Sequence, residues 1–313
     1  MIHDCLAGCD ISSRRLDLCI LTADGPRHAG FGNHAEGIAA LVAALEAGGV
    51  GLVVVEPSGG CEAPLMAALW AAGRQVALVP AQRIRHFARA DGQLAKTDAI
   101  DARMLAEYAA RMRPDPTPPP SENLRVLRAL VARRRVLVAT RAAERKRSRQ
   151  AALPGVQASI ARLTALLDSE IAALETAIRA AIMADRETAA RAARMQTLPG
   201  IGPATSAVLL AELPELGRLQ PGQAAALAGL APHTRQSGAW RRRSFISGGR
   251  KPVRDALFMA ATSAALRGSS RFARHYESLR ARGKPHKLAL VAVMRKMLVT
   301  LNAMLRDQAE FRT

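Results

Sequence analysis

Five prolines in the seven residues 114–120 (PDPTPPP) constrain this chain more than any other stretch. Proline has no amide hydrogen to give to a helix or an inner strand, and its ring fixes φ near −65°. No helix crosses such a run and no central strand contains it. The 313 residues therefore divide into residues 1–112, a linker at 113–120, and a second part from 121 onward.

Charge divides at nearly the same place. Residues 1–111 hold ten Lys/Arg and twelve Asp/Glu, net −2, whereas residues 112–313 hold thirty-five and fourteen, net +21. A near-neutral part followed by a strongly basic one suggests a chemistry module joined to a polyanion-binding module. GC-rich coding would produce part of this Arg- and Ala-rich bias. Aromatic residues make up only 3% of the chain, which argues against base stacking as the main mode of binding. No apolar run reads as transmembrane length, and Asp4 and Asp10 interrupt the N-terminus where a signal peptide would stand. Cys5, Cys9, Cys19 and Cys61 include no C-x-x-C pair and read as reduced core residues of a cytoplasmic protein.

In the first part, residues 5–9, 16–22 and, more weakly, 28–33 read as strands. A helix at 35–47, a strand at 51–56, a helix at 61–72, a strand at 76–80 and helical segments to 111 follow. This βββαβαβα order predicts an α/β RNase H-like fold, a mixed sheet with helices on both faces. Asp10 ends the first strand. Glu56 ends the apolar run GLVVVE, where an acid is costly unless solvated, paired or metal-bound. In KTDAIDARMLAEYAA (96–110), Ile100, Met104 and Tyr108 recur with helical period. Asp98 and Asp101, three apart, then share a face at about 60°. Taken alone, Asp98 also fits a helix cap, and Glu56 a water-facing strand end. In an RNase H-like sheet the first and fourth strands are neighbours, which would bring Asp10 beside Glu56 under the helix of Asp98 and Asp101. Four carboxylates converging there would suit one or two Mg²⁺, or Mn²⁺, clamping a phosphodiester.

The series GCDIS, VVVEPSG and KTDAIDA resembles the DEDD-type transposases of the insertion-sequence 110 family. The K-T-D-x-x-D-A cluster is its most specific part, and the resemblance runs over nearly the whole chain. It implies a RuvC-like N-terminal domain whose acids fall on Asp10, Glu56, Asp98 and Asp101.

Residues 121–150 read as a helix with ten Lys/Arg, among them Arg133, Arg134, Arg135, Arg145, Lys146 and Arg147, and this predicts a phosphate-contacting arm. Ile160, Leu163, Leu167, Ile171, Leu174, Ile178 and Ile182 step by 3 and 4, close to a coiled-coil seam. The seam fits packing within one chain or against a second copy; the second copy is the one expected, because nothing nearby in the sequence supplies a large partner face. Residues 121–194 form this segment. A helical domain follows at 195–313, opening with LPGIGPATSAVLLAEL, where Gly200 and Gly202 fit a helix-hairpin-helix holding a backbone through main-chain donors, or an ordinary αα-hairpin. Residues 235–254 read as a loop with seven Lys/Arg and no acid, entering a helix near Lys251. Arg235, Arg241, Arg242, Arg243, Arg250 and Lys251 are its candidate phosphate contacts. Its serines, Ser237, Ser244 and Ser247, would in isolation be ordinary loop residues. The resemblance assigns the nucleophile to Ser237 in RQSGAW, with a covalent DNA–serine intermediate, an exchange of strands within a homo-oligomer, and an element-encoded guide RNA beside the donor and target DNA. Serine hydroxyl is a poor nucleophile without a metal, a base or strong positive charge. Two rivals stay open: a four-carboxylate nuclease or junction resolvase that uses water and needs no Ser237, and a basic nucleic-acid scaffold with a decayed site.

Overall fold

The computed structural model describes residues 5–93, 95, 97–233, 245–266 and 270–312, with the backbone alone at 236–237 and 240–241. It forms two compact units, Met1–Pro119 and Pro120–Thr313.

The first unit is built on five strands: β1 (Cys5–Ile11), β2 (Arg15–Thr22), β3 (Gly25–Gly32), β4 (Val50–Val55) and β5 (Gln75–Leu78). Their order across the sheet is β3-β2-β1-β4-β5. The first three form an antiparallel meander, and β4 and β5 run parallel to β1. A parallel neighbour needs a crossover, supplied here by α1 (Ala35–Ala47) and α2 (Ala63–Ala71). Strand alternation sorts the side chains. Ala7, Cys9, Ile11, Leu16, Leu18, Val53 and Val55 pack against Ile38, Leu41 and Leu45 of α1 and Leu65 and Leu69 of α2. The opposite face offers Leu52, Val54, Ala77 and Cys19 to α3 (Ala81–Ala90) and α4 (Asp98–Met112).

α4 reaches the sheet backbone-close because β1 has no side chain at Gly8. A Cβ there would lie 2.3 Å from the Ala106 amide nitrogen and 2.4 Å from the Ala102 carbonyl oxygen. Ala102, Ala106 and Ala109 give α4 the matching small face, and all three are buried. The proline-rich segment is less free than a linker. Thr117 N–H donates to Val76 O at 2.8 Å, Trp70 Nε1 donates to Thr117 O at 3.0 Å, and Leu78 N–H donates to Thr117 Oγ1 at 3.0 Å. This stitches the segment to the β5 edge.

The second unit starts with a helical hairpin, α5 (Glu122–Ser148) and α6 (Pro154–Met183). Here the sequence expectation needs correction. The partner face for the α6 seam is inside the chain: Leu167, Ile171 and Leu174 pack on Leu137 and Val138 of α5. Ile178 and Ile182 join Leu127 and Val131 in the main core. α7 (Arg186–Gln196), α8 (Pro203–Glu212), α9 (Pro221–Leu227), α10 (Lys251–Leu266) and α11 (Arg271–Ala281) surround α12 (His286–Arg306). Contrary to the sequence reading, α12 is long and apolar enough to cross a membrane, by length and composition. Its Leu290, Val293, Met297, Leu298 and Leu301 are instead buried at the centre of the unit. Its one buried polar side chain, Asn302, donates to Leu219 O at 2.7 Å and accepts from Gly217 N–H at 2.8 Å. The loop expected at 235–254 contains β7 (Gln236–Ser237) paired with β8 (Trp240–Arg241), and β9 (Phe245–Ile246), which pairs with β6 (Pro232–His233) just before the segment.

Candidate active site

The last paired residues of β1 and β4 are Cys9 and Val55, so Asp10 and Glu56 follow side by side in register. Cys9 and Val55 face α1 and α2. By alternation, Asp10 and Glu56 occupy positions of the other face, the one α4 covers. Both are half-buried.

α4 begins over this spot. Thr97 is its cap, accepting from Ile100 N–H at 3.3 Å. Asp98 is therefore not the capping residue; it is the first helical position, with Asp101 one turn on, both within the positive end of the helix dipole. Asp98 is exposed and Asp101 half-buried. The carboxyl of Asp10 is pushed above its ordinary value, first by burial and then by the negative charge of Asp101. The Ile11 amide opposes that shift, while Asp98 and Asp17 add to it. Asp10 thus lies within electrostatic reach of Asp98 and Asp101, and Glu56 is the residue that follows β4. Among the described residues, no group of three or more His, Cys, Asp or Glu is arranged to hold a metal ion. The donors are all hard oxygens and their charges accumulate, which is the chemistry a divalent cation fits.

A fifth acid was missed in the sequence. Asp17 of β2 is the cross-strand partner of Asp10. Arg15 neutralises it: Nε donates to Oδ1 at 2.9 Å and Oδ2 at 3.0 Å. The signal was present as R-x-D at the head of a strand, where alternation puts both side chains on one face. The turn after Glu56 is also braced. Glu62 accepts from Ser58 N–H and Oγ, both at 3.0 Å, and from Gly60 N–H at 2.9 Å. Burial raises the Glu62 carboxyl, but these bonds and its own backbone outweigh that and lower it.

The basic arm is partly self-neutralised. Arg134 Nη2 meets Glu175 at 2.5 Å, Arg141 meets Asp168 at 2.5 Å, and Arg145 meets the same Asp168 at 3.1 Å. Arg135 lies 3.6 Å from Glu212, and Arg147 pairs with Glu144. Arg133 and Lys146 are exposed on α5. Arg250 Nη1 and Nη2 both bond Glu215 at 2.7 Å, and Nη1 also donates to Glu212 O, so its fork is spent inside the unit. Lys251 pairs with Asp255 at 2.5 Å. Gly200 (φ 89°) sits against α10, where a Cβ would lie 2.3 Å from Ala260 O, so it is a packing glycine. Gly202 is the open N-cap of α8. Ser237 pairs in register with Trp240 through its backbone, and Gln236 with Arg241. Arg235, Arg242, Arg243 and Ser244 lie outside the described residues.

Residues 7–156 match the family model of DEDD-type IS110 elements, described as Transposase. Residues 192–277 match the model described as Transposase IS116/IS110/IS902 family. The chain is 30% identical to the pilin gene-inverting protein of Moraxella lacunata over 97% of this chain and 96% of that protein. It is 28% identical to the insertion element IS116 uncharacterized 44.8 kDa protein of Streptomyces clavuligerus, covering 82% and 83%. These matches define the class, an enzyme that transposes or recombines DNA. The chain belongs to the IS116/IS110/IS902 family of transposases.

Proposed function

We propose that this protein is a site-specific DNA recombinase of an insertion sequence, working through a covalent DNA–serine intermediate at a metal-assisted, RNase H-like site. What supports the reading is the register of β1 and β4, whose last pair, Cys9 and Val55, directly precedes Asp10 and Glu56, and the charge of Asp101 and Asp98 at the start of α4, which reaches Asp10. Asp10, Glu56, Asp98 and Asp101 would hold one or two Mg²⁺, or Mn²⁺, which when bound would neutralise charge at a phosphodiester. Ser237 Oγ attacks the phosphorus and gives up its proton. The P–O bond to a sugar breaks, and that sugar oxygen leaves as a hydroxyl. Attack of a sugar hydroxyl on the seryl phosphoester restores the serine and joins a new strand.

The basic second unit supplies the polyanion surface. Among the described residues Arg133 and Lys146 are the best placed to touch phosphates, because Arg134, Arg145 and Arg250 already have carboxylate partners; Arg235, Arg241, Arg242 and Arg243 join them in this reading on their sequence alone. An element-encoded RNA that pairs with both DNA sites would account for sequence choice without base-reading side chains. The α7–α8 turn would grip a backbone through the α8 amides. Strand exchange needs more than one subunit, so a homo-oligomer acting on chromosomal DNA in the cytoplasm completes the reading.

The test is a denaturing gel. The protein is incubated with element-end DNA, flanking RNA transcripts and Mg²⁺. A protein–DNA adduct is expected for the native chain and none for Ser237→Ala. Cleavage without adduct, unchanged in Ser237→Ala, would instead identify a water-using nuclease.

A further inference from the structure

The fifth acid and its arginine form an arrangement of their own. Arg15 opens β2 immediately after the β1–β2 turn, and the turn pins its backbone: Arg15 N–H donates to Ser12 Oγ at 3.0 Å, and Ser12 N–H donates to Arg15 O at 2.9 Å. Its guanidinium binds Asp17 through Nε, and Nη2 lies 2.9 Å from Oδ1. The cross-strand partner of Asp17 on β3 is Gly30. A Cβ at Gly30 would lie 2.7 Å from Arg15 Nη2 and 3.1 Å from Cζ, so the guanidinium rests on the bare backbone of β3. β3 is an edge strand, and most of it is exposed. Arg15 remains 63% exposed while Asp17 is only 15% exposed. A guanidinium has five N–H donors in a planar fork. Asp17 engages Nε and Nη2 of that fork, and the Arg15 side chain stays largely exposed on the face that carries Asp10. The hydrogen bond and then the charge of Asp17 strengthen the guanidinium's hold on its proton, and the field of Asp98 adds a smaller part.

A surface ion pair between residues two apart contributes little to stability, so fold maintenance does not account for this construction. Three features instead orient the cation: the pinned turn, the carboxylate that clamps one side of the fork, and the missing side chain beneath it. We infer that Arg15 is a phosphate-binding residue of this site. In this role it takes a non-bridging oxygen of the DNA backbone with donors beyond those Asp17 engages, while Asp17 acts as the positioning residue that aims it. The inference rests on the reading of the acid cluster as the place of phosphodiester chemistry. Charge-assisted, fork-shaped recognition of phosphate is what arginine does and lysine does less well.

Gly30 provides the discriminating variant. Its φ lies outside the left-handed region, and the atom a methyl would meet is the far end of a flexible side chain. Gly30→Ala therefore folds and keeps every carboxylate, but pushes the guanidinium off its seat. Arg15→Gln, Arg15→Lys, Gly30→Ala and Asp10→Ala are compared for melting temperature, for DNA binding in chelator across a salt series, and for strand cleavage of a plasmid bearing element ends at saturating protein. Arg15→Gln is expected to cleave about tenfold to a hundredfold more slowly, the loss of one charge-assisted hydrogen bond. Arg15→Lys should fall between, and Gly30→Ala should move in the same direction with native melting. The loss falls on the rate at saturation, because the basic second unit sets affinity. If Asp10→Ala is inactive while Arg15→Gln and Gly30→Ala both cleave within twofold of native, the inference is overturned and the site reading survives. If Asp10→Ala itself cleaves normally, the site reading fails, and the inference falls with it.

Discussion

Asp10 sits where burial and neighbouring carboxylates oppose its ionisation, which raises its carboxyl above the ordinary 3.8. The folded chain then binds this proton more tightly than the unfolded chain. Ionised Asp10 therefore costs stability once pH exceeds the ordinary value, and the cost is relieved as pH falls. Asp10→Asn removes the charge and leaves an oxygen to accept the Ile11 amide. In chelator at pH 7, its melting temperature is expected to exceed that of the native chain, with the difference closing toward pH 4; a lower melting temperature at pH 7 would contradict the electrostatic account. Glu215 behaves oppositely. Burial raises its carboxyl, but the bidentate bond and charge of Arg250 overcome this and hold it below the ordinary 4.5. Its contribution is complete above that value and is lost as pH falls through the folded value. Glu215→Gln should therefore melt lower than native at pH 7 and converge with it in acid, as followed by circular dichroism.

At the scale of elements, the site depends on how closely α4 lies on β1. Gly8→Ala inserts a methyl against the backbone of Ala102 and Ala106, neither of which can swing aside. A cost of about 1–3 kcal/mol is expected for such overpacking, together with a shift of the helix that holds Asp98 and Asp101. Cleavage should fall even at temperatures where the variant stays folded; native activity in folded Gly8→Ala would mean that the placement of α4 is not needed. The α5–α6 hairpin separates two roles of arginine. Arg134 and Arg141 bond α6 acids, so their removal should loosen the hairpin and lower its melting temperature. Neutralising exposed Arg133 and Lys146 should instead leave melting unchanged and flatten the salt dependence of log K by about 0.7 to 0.9 per lost phosphate contact. An unchanged slope would remove α5 from the nucleic-acid surface.

At the scale of the molecule, the acids belong to the first compact unit and Ser237 to the second. Under the proposed mechanism the acids and the serine that act together come either from one chain or from two. Ser237→Ala and Asp10→Ala proteins, each expected to be inactive alone, distinguish these arrangements when mixed. If acids and serine come from different subunits, a mixed dimer keeps one intact site and covalent adduct returns. No recovery, with subunit exchange demonstrated, places each site within one chain.

Much of this was legible in the sequence, because local chemistry wrote it. The proline run forbids regular structure, and period-2 and period-3.6 patterns place β1, β2, β4, α4 and α6 within a few residues of where they lie. The family motifs singled out Asp10, Glu56, Asp98 and Asp101 as the acids of the proposed site. What the sequence could not supply were relations between distant residues. The α6 seam finds its partner in α5 of the same chain, and the apolar run of α12 becomes the centre of a helical core. Arg250 is drawn out of the phosphate-binding set by Glu215. The pairing of Asp17 with Asp10, and the seat that Gly30 gives Arg15, exist only because β1, β2 and β3 align in one register. A residue's type and period are properties of the local chain, but its neighbours across a sheet or a helix pair are chosen by tertiary packing, and here that packing decides which charges face each other.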